Sequence, residues 1–221
     1  MRRGARGLPR GAGGRWRALI PRSLRRARIG LLGGSFNPAH GGHLHVAQVA
    51  LRALRLDAVW LMVSPGNPLK PAKGMAAFGA RLASARAIAR PPRIVASDVE
   101  ARLGSRMSWK TLALLRVRFP RVRFVLILGA DNLLQLPRWQ RWRALAAGTG
   151  LAVLPRPGFT RAALAGKAAA VLQRHRRPPG RMFASPAGHA PWCLVPARLN
   201  AASATAIRQQ WRDRRVSGSK R

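Results

Sequence analysis

Two histidines, His40 and His43, stand three residues apart in a glycine-rich stretch that follows an apolar run. The stretch reads 33-GGSFNPAHGGHL-44, and the run before it is 28-RIGLLG-33. Glycines let a backbone turn tightly and come close to a ligand, and a helix that begins just after Pro38 presents unpaired N–H groups and a positive dipole end. Imidazoles donate hydrogen bonds and can carry a positive charge near neutral pH. The stretch therefore predicts a phosphate-binding loop with both imidazoles directed at one point.

Each feature of this stretch also has a simpler explanation. Glycine-rich loops between a strand and a helix occur in many α/β proteins that bind no nucleotide, and the GxGxxG dinucleotide fingerprint is absent. A histidine pair could bind zinc, but Cys193, His175 and His189 are isolated in the sequence, so metal ligation by side chains is not expected. His45 is expected to point elsewhere on the helix and to have a structural role.

Alternating strand and helix patterns position this loop. Apolar runs predict strands at 28–33, 58–63, 92–97, 123–128, 150–155 and 192–196. Amphipathic patterns predict helices at 42–54, 76–89, 108–119, 139–147, 160–175 and 203–214. This alternation predicts an α/β fold, a Rossmann-like parallel sheet with helices on both faces. Right-handed crossovers then bring the carboxyl ends of all strands to one edge, where such folds bind ligands.

Two arginine-rich segments flank this predicted domain of residues 28–211. Residues 1–27 carry many arginines and no acid, without a helical or strand period, and predict a disordered extension. The extension could be an arm that binds polyanions, an organelle presequence, or the product of an upstream start codon. Residues 212–221 predict a basic, frayed tail.

The charge of the chain is strongly unbalanced, with 42 basic and 5 acidic residues and a formal net charge of +37. Such a field attracts nucleic acid, nucleotides or other polyanions. A compositional drift toward arginine explains it equally well, because the arginines form no single block. No apolar run reaches the length of a membrane helix, and a single cysteine excludes an intrachain disulfide, so we expect a cytoplasmic protein that does not contact membranes.

Four motifs resemble those of the nicotinate-nucleotide adenylyltransferases, which belong to the HxGH nucleotidyltransferase superfamily. They are 33-GGSFNPAHGGHL-44, 129-GADNLLQLPRW-139, 155-PRPG-158 and 203-SATAIR-208. They stand in the family's order, and the resemblance continues along most of residues 28–211. The resemblance implies a Rossmann-like fold of the nucleotidyltransferase type.

The resemblance also implies a reaction without a covalent intermediate. The phosphate of nicotinate mononucleotide would attack the α-phosphorus of ATP, which releases pyrophosphate and forms nicotinate adenine dinucleotide (deamido-NAD), a step of NAD biosynthesis. Mg²⁺ would arrive with ATP and need few protein ligands. Catalysis would then consist of positioning and charge neutralisation.

Individual residues receive roles from the resemblance. His40 and His43 would hold the ATP phosphates and stabilise charge at the pentavalent phosphorus. The other implied contacts to ATP or phosphate are Gly33, Gly34, Ser35, Phe36, Lys70, Asp131, Ser203, Thr205 and Arg208. Ser108 and Trp139 would contact nicotinate mononucleotide, with the Trp139 ring stacked on the pyridine. Helix capping is the alternative for Asp131 and Ser203, and Trp142 is expected in the core.

Several positions depart from the family pattern. Leu69 replaces a histidine of the N-P-P-H-K loop, Met107 replaces a tyrosine, and Lys110 replaces an aspartate of the R-Y-T-x-D-T-L stretch. They leave open an adenylyltransferase that acts on nicotinamide mononucleotide or another phosphorylated acceptor. A non-catalytic, basic RNA-binding protein is the third hypothesis, motivated by the net charge, although aromatic residues make up 6% and tyrosine is absent. The oligomeric state is not predicted.

Overall fold

The computed structural model describes residues 27–66, 74–184 and 190–197. Several sequence-based predictions lie outside the described residues. These are the extension up to residue 26, the tail 212–221, the helix 203–214, and the site residues Lys70, Ser203, Thr205 and Arg208.

Six parallel strands form one sheet within the described residues. They are β1 (Arg28–Gly34), β2 (Ala58–Val63), β3 (Ile94–Ser97), β4 (Arg123–Gly129), β5 (Gly150–Leu154) and β6 (Trp192–Leu194). Their order is β3-β2-β1-β4-β5-β6, and every neighbouring pair is parallel. All six predicted strands and the Rossmann-like α/β fold are confirmed.

Helices cover both faces of this sheet. They are α1 (Gly41–Ala53), α2 (Phe78–Ile88), α3 (Val99–Arg102), α4 (Ser108–Arg118), α5 (Ala130–Gln135), α6 (Trp142–Gly148), α7 (Thr160–Leu164) and α8 (Lys167–Val171). The helices predicted at 42–54, 76–89 and 108–119 are confirmed as α1, α2 and α4. The one predicted at 139–147 starts later, as α6, because Arg141 takes a left-handed conformation with φ 52°. In the described part of the chain, no helix has the length and apolar character that crossing a membrane requires.

The single helix predicted at 160–175 is wrong. The segment instead contains α7, α8 and a 3-10 turn at Gln173–His175. Gly166 interrupts it with an extended backbone, φ −82° and ψ 165°. A Cβ there would lie 3.1 Å from the Ala162 carbonyl oxygen and 3.2 Å from Leu134 Cδ1, so the chain turns in close contact with α7 and α5. The short α3 and α5 were not predicted, because four and six residues are too few to display a helical period.

The core consists of two apolar clusters, one on each face of the sheet. Ile29 and Leu31 of β1 belong to the cluster beneath α4, α5, α6 and α8. Leu32 belongs to the cluster beneath α1 and α2. Side chains of successive strand residues point to opposite faces, so a strand buried on both sides must be apolar throughout. The continuous apolar runs in the sequence have this origin.

The strand order creates a topological switch point between β1 and β4. From β1 the chain moves outward through β2 and β3, and from β4 it moves outward in the opposite direction through β5 and β6. The loops that leave β1 and β4 therefore diverge and open a crevice at the carboxyl edge of the sheet, the usual ligand position in such folds. The glycine-rich stretch leaves β1, and Asp131 follows β4.

Candidate functional site

His40 and His43 cap the first helix reciprocally. His40 is the N-cap of α1, and its Nδ1 accepts a hydrogen bond from the Gly42 N–H at 3.1 Å. The Nδ1 of His43, at the third helical position, accepts from the His40 N–H at 3.3 Å. A capping box usually pairs Ser or Thr with Glu or Gln at this spacing, and here two imidazoles replace them. The ring centroids lie 3.9 Å apart, so the structure brings the two predicted catalytic residues together.

This capping arrangement determines where each imidazole carries its proton. Since Nδ1 of His40 and of His43 accepts from a backbone N–H, the proton of the neutral ring must lie on Nε2. These Nε2–H groups are hydrogen-bond donors at the start of α1. No acidic residue occupies the first turn of α1, so the positive end of the helix dipole is not neutralised there.

Phe36, rather than a glycine, makes the sharp turn of the loop. Its φ is 47°, a left-handed conformation that costs about 1–3 kcal/mol for a non-glycine residue. Gly33 and Gly34 end β1, and neither has a positive φ, so the prediction that they provide the turn is wrong. The Phe36 ring is buried and lies 4.7 Å from the His43 ring, and it would lie 3.2 Å from a Cβ at Gly34.

Gly33 is exposed at the carboxyl end of β1. A Cβ added to it would have Met62 Cε as its nearest neighbour, at 3.8 Å. Protein packing therefore does not require glycine at this position. A ligand that approaches the backbone closely would require it. Contact between Gly33 and a nucleotide stays a prediction.

An acid–base pair forms the other side of the crevice. Asp131, in the first turn of α5, lies 3.5 Å from Nε of Arg156, which follows β5. Asp131 makes no capping hydrogen bond at α5, so the structural alternative of a helix cap is not observed. Its Oδ1 is buried and accepts no hydrogen bond from the described residues. Such an oxygen can accept a hydrogen bond from a ribose hydroxyl or from a water molecule on a metal ion.

Arg156 is a site residue that the sequence analysis missed, although its motif 155-PRPG-158 was available as a signal. Its backbone is fixed by Thr160, whose hydroxyl accepts from the Arg156 N–H at 2.9 Å and donates to the Arg156 carbonyl at 3.0 Å. Burial, and then the charge of Arg156, lower the pKa of His40 below its usual 6.5. The positive charge of Arg156 therefore acts on His40 at the start of α1.

Ser108 and Trp139, the two residues predicted to bind the acceptor, lie on neighbouring segments. Ser108 is the first residue of α4, and Trp139 is half-buried just before α6. Between them, Trp109 Nε1 donates to Gln140 Oε1 at 3.1 Å, and the Arg141 guanidinium lies 4.5 Å above the Trp109 ring. Trp142 is buried, which confirms its predicted place in the core.

A buried polar cluster supports the start of α4. Glu100 is 6% exposed and accepts from the Thr111 hydroxyl at 3.3 Å. Burial raises the pKa of Glu100, and hydrogen bonds from Ser64 and Thr111 partly oppose this rise. Thr111 also contacts Ser105 Oγ at 3.0 Å, and Ser105 donates to the carbonyl of Met107, the N-cap of α4. These bonds fix the loop from which Ser108 is presented.

The described residues fit a magnesium ion that arrives with its nucleotide. Among them, no three side chains of His, Cys, Asp or Glu come close enough to share an ion. Mg²⁺ keeps most of its water and binds phosphate oxygens with one or two carboxylates, so a single acceptor such as Asp131 Oδ1 is sufficient.

Substituting Gly129 tests the Asp131–Arg156 pair. A Cβ on Gly129 would overlap Asp131 Oδ1 and would lie 3.1 Å from Arg156 Nε. We expect Gly129→Ala to displace both groups and to weaken ATP binding, measured by calorimetry, by about tenfold or more.

The matched control is Gly79→Ala on α2, where an added Cβ meets nothing within 4 Å. It should leave ATP binding unchanged and stabilise the helix by about 0.5–1 kcal/mol. Equal ATP affinity in both variants would contradict the role of the pair.

The lowered pKa of His40 predicts a pH-dependent stability. In the unfolded chain His40 binds its proton near pH 6.5, whereas burial and then the charge of Arg156 disfavour the protonated ring in the folded protein. Stability is therefore present above pH 6.5 and is lost as the pH falls toward the folded pKa. Asparagine is a good N-cap that does not titrate. The free energy of unfolding should thus fall less in His40→Asn than in the wild type between about pH 7.5 and about pH 5.5. Identical slopes in denaturant titrations would refute this.

The chain is similar to known proteins over most of its length. Residues 31–210 match the family described as cytidylyltransferase-like. The "Probable nicotinate-nucleotide adenylyltransferase" of Gluconobacter oxydans is 62% identical over 185 residues, which are 82% of this chain and 94% of that protein. The protein of the same name from Gluconacetobacter diazotrophicus is 53% identical over 186 residues, 83% of this chain and 86% of that protein.

A solved structure shares the fold. It is the nicotinic acid mononucleotide adenylyltransferase of Plasmodium falciparum complexed with NaAD, with a TM-score of 0.60 over 83% of each chain and 16% identity. At this identity the likeness concerns the fold alone. Because relatives more than half identical match along nearly their whole length, this chain belongs to the nicotinate-nucleotide adenylyltransferase family.

Proposed function

We propose that this protein transfers the adenylyl group of ATP to nicotinate mononucleotide in the crevice between the loops after β1 and β4. Family membership supports the reaction class. The observation that carries the proposal is the reciprocal capping of His40 and His43 at the start of α1, which leaves the proton of each neutral ring on Nε2 as a donor. Beside them lie a helix start without acids and the guanidinium of Arg156.

The reaction requires charge stabilisation more than covalent chemistry. A phosphate oxygen of the mononucleotide forms a bond to the α-phosphorus of ATP, and the bond from that phosphorus to the pyrophosphate oxygen breaks. Negative charge accumulates on the oxygens of the pentavalent phosphorus and on the leaving pyrophosphate. His40 and His43 donate hydrogen bonds to these oxygens, and Arg156 adds a fixed positive charge. Gly33, Gly34, Ser35 and Phe36 form the backbone of the ATP loop.

Asp131 provides the acceptor in an otherwise basic site. Its buried Oδ1 binds a ribose hydroxyl of the nucleotide or a water molecule on the Mg²⁺ that ATP carries. The Mg²⁺ supplies charge neutralisation between the phosphates when it is bound. Arg156 keeps the carboxylate in place at 3.5 Å.

The start of α4 favours an acid over an amide on the pyridine ring. The first turn of α4 begins at Ser108 and contains no acidic residue, so its backbone N–H groups carry the positive end of the helix dipole. Lys110, in the same turn, is exposed and adds positive charge where the family pattern has an aspartate. A carboxylate gains from both features, whereas a neutral carboxamide gains much less. Replacement of the family tyrosine by Met107 leaves these backbone donors intact, and Trp139 supplies the stacking surface.

Four further contacts belong to the proposal because of their motifs. They would bind the ATP phosphates, and they lie outside the described residues: Lys70, Ser203, Thr205 and Arg208. A cytoplasmic location stays a prediction, as does binding of nucleic acid by the basic extension. Nicotinamide mononucleotide is the alternative acceptor, and a non-catalytic RNA-binding protein is the alternative without turnover.

Pyrophosphate release separates these alternatives. The purified full chain is incubated with ATP, Mg²⁺ and either nicotinate or nicotinamide mononucleotide, with a reaction lacking acceptor as the control. We expect kcat/KM to be higher for nicotinate by about tenfold or more, since a hydrogen bond to a charged group contributes roughly 1.5–3 kcal/mol. A preference for the amide would identify the alternative acceptor. Absence of pyrophosphate with every acceptor would contradict the enzymatic function.

Replacing His43 tests the imidazole pair directly. We expect His43→Ala to lower kcat by about 10²–10³-fold, because the loss of one donor to a developing negative charge has this effect. The helix should remain folded, since His40 keeps its own bond to the Gly42 N–H. The matched control is His45→Ala, two residues further along α1, which should retain the wild-type kcat. Steady-state kinetics and circular dichroism provide the two readouts, and wild-type turnover in His43→Ala would exclude the proposed role.

A further inference from the structure

Arg81 of α2 is a buried cation that no carboxylate neutralises among the described residues. It is 3% exposed, and burial lowers its pKa. The two ion pairs within the described residues involve other side chains, Arg102 with Asp98 and Arg156 with Asp131. Burying a charge without a counter-charge is unfavourable unless hydrogen bonds replace the lost water. Arg81 therefore has to be explained by the groups that it contacts.

The contacts of Arg81 are backbone carbonyls from three separate segments. Its Nη1 donates to the Ser35 carbonyl at 2.9 Å and to the Ser64 carbonyl at 2.7 Å. Its Nε donates to the Ala76 carbonyl at 2.9 Å, and Nη2 reaches the Pro65 carbonyl at 3.4 Å. These segments are the loop after β1, the chain leaving β2, and the turn entering α2. A planar guanidinium can bridge them in this way, and an ammonium group cannot.

The Ser35 carbonyl lies immediately before the strained residue of the loop. Phe36 has φ 47°, and such a conformation persists only where its surroundings leave no alternative. Arg81 fixes the chain before Phe36. Ser84, three residues further along α2, fixes the chain after it by accepting from the Ala39 N–H at 2.9 Å. Helix α2 thus holds the loop on both sides of its turn.

Phe36 links the contacts made by Arg81 and Ser84 to the imidazole pair. Its ring lies 4.7 Å from the His43 ring, and the His43 ring lies 3.9 Å from the His40 ring. The position of the Phe36 ring therefore limits the orientations open to His43. A misplacement of about 1 Å in a catalytic group can cost about 10²-fold in rate.

We propose that Arg81 is a positioning residue of the phosphate site, which fixes the Ser35 carbonyl and thereby keeps Phe36 left-handed and its ring against His43. The side chain acts from behind the loop through backbone carbonyls. The inference rests on the proposed function for its effect on turnover, but its effect on His43 does not depend on turnover.

The test compares Arg81→Lys and Arg81→Met with the wild type. Lysine keeps the charge and the aliphatic stem but cannot bridge three segments, and methionine removes all donors. We expect both variants to lose about 10²-fold in kcat. The proton signals of the His43 ring should shift in the NMR spectrum, because the ring current of Phe36 changes. The His175 signals, from a 3-10 turn elsewhere in the fold, serve as an internal control and should not move.

Arg93→Met is the matched control. Arg93 also donates to two backbone carbonyls, of Leu56 at 2.7 Å and Asp57 at 3.4 Å, but it lies at the amino-terminal edge of the sheet. Its substitution should leave both kcat and the His43 signals unchanged. Equal effects from Arg93→Met would show that any loss of a carbonyl-bonded arginine disturbs the site, and would overturn the proposal.

The remaining outcomes are decisive as well. If Arg81→Met does not fold, the lysine variant alone carries the test. Wild-type kcat, or a lowered kcat with unmoved His43 signals, would overturn the proposal. If the wild-type protein itself releases no pyrophosphate, the proposed function fails, and the His43 signals of Arg81→Lys still decide whether Arg81 positions that ring.

Discussion

The site depends on two hydrogen bonds at the start of α1, one from the Gly42 N–H to His40 Nδ1 and one from the His40 N–H to His43 Nδ1. A helix start leaves backbone N–H groups without partners, and a capping box satisfies two of them with side chains three residues apart. Imidazole can take this task because Nδ1 accepts while Nε2 keeps its proton. The same spacing thus completes the helix start and keeps a protonated Nε2 on each of the two rings. A Ser–Glu box would cap α1 equally well, but it would place a carboxylate at the position where the proposed reaction brings phosphate.

The strand order of the sheet determines which charged residues lie near the start of α1. Since β1 and β4 are neighbours at the switch point, α1 and the segment that carries Asp131 both start at the same edge of the sheet, and Arg156, from the end of β5, lies 3.5 Å from Asp131. Three strands therefore contribute opposite charges and donors to one crevice. Glycine at 129 is a consequence of this convergence, because an added Cβ would overlap the Asp131 carboxylate.

Because acidic residues are few in this protein, most arginines have other contacts than ion pairs. With 5 acids for 42 basic residues, most arginines cannot form ion pairs. Of the described acids, Asp57 accepts from the Arg28 backbone, Asp98 and Asp131 have arginine partners, and Glu100 is buried among hydroxyls. Arg81 and Arg93 bind backbone carbonyls instead. Such contacts leave the positive charge uncancelled, so the surroundings of the site remain attractive to polyphosphate.

The sequence by itself determined the sheet, its parallel strands, and the pairing of the two histidines, because strand burial on both faces and helix-start chemistry are local patterns. It also pointed to Asp131 through its position after an apolar strand. Only the tertiary structure decided that Phe36 makes the turn, that Arg156 reaches His40, and that Arg81 clamps the loop. Each of these depends on segments that are distant in the chain, such as those of Ser35 and Arg81, which are 46 positions apart. A local pattern carries no information about which distant carbonyl a buried guanidinium will meet, because the packing of helix on sheet sets that distance.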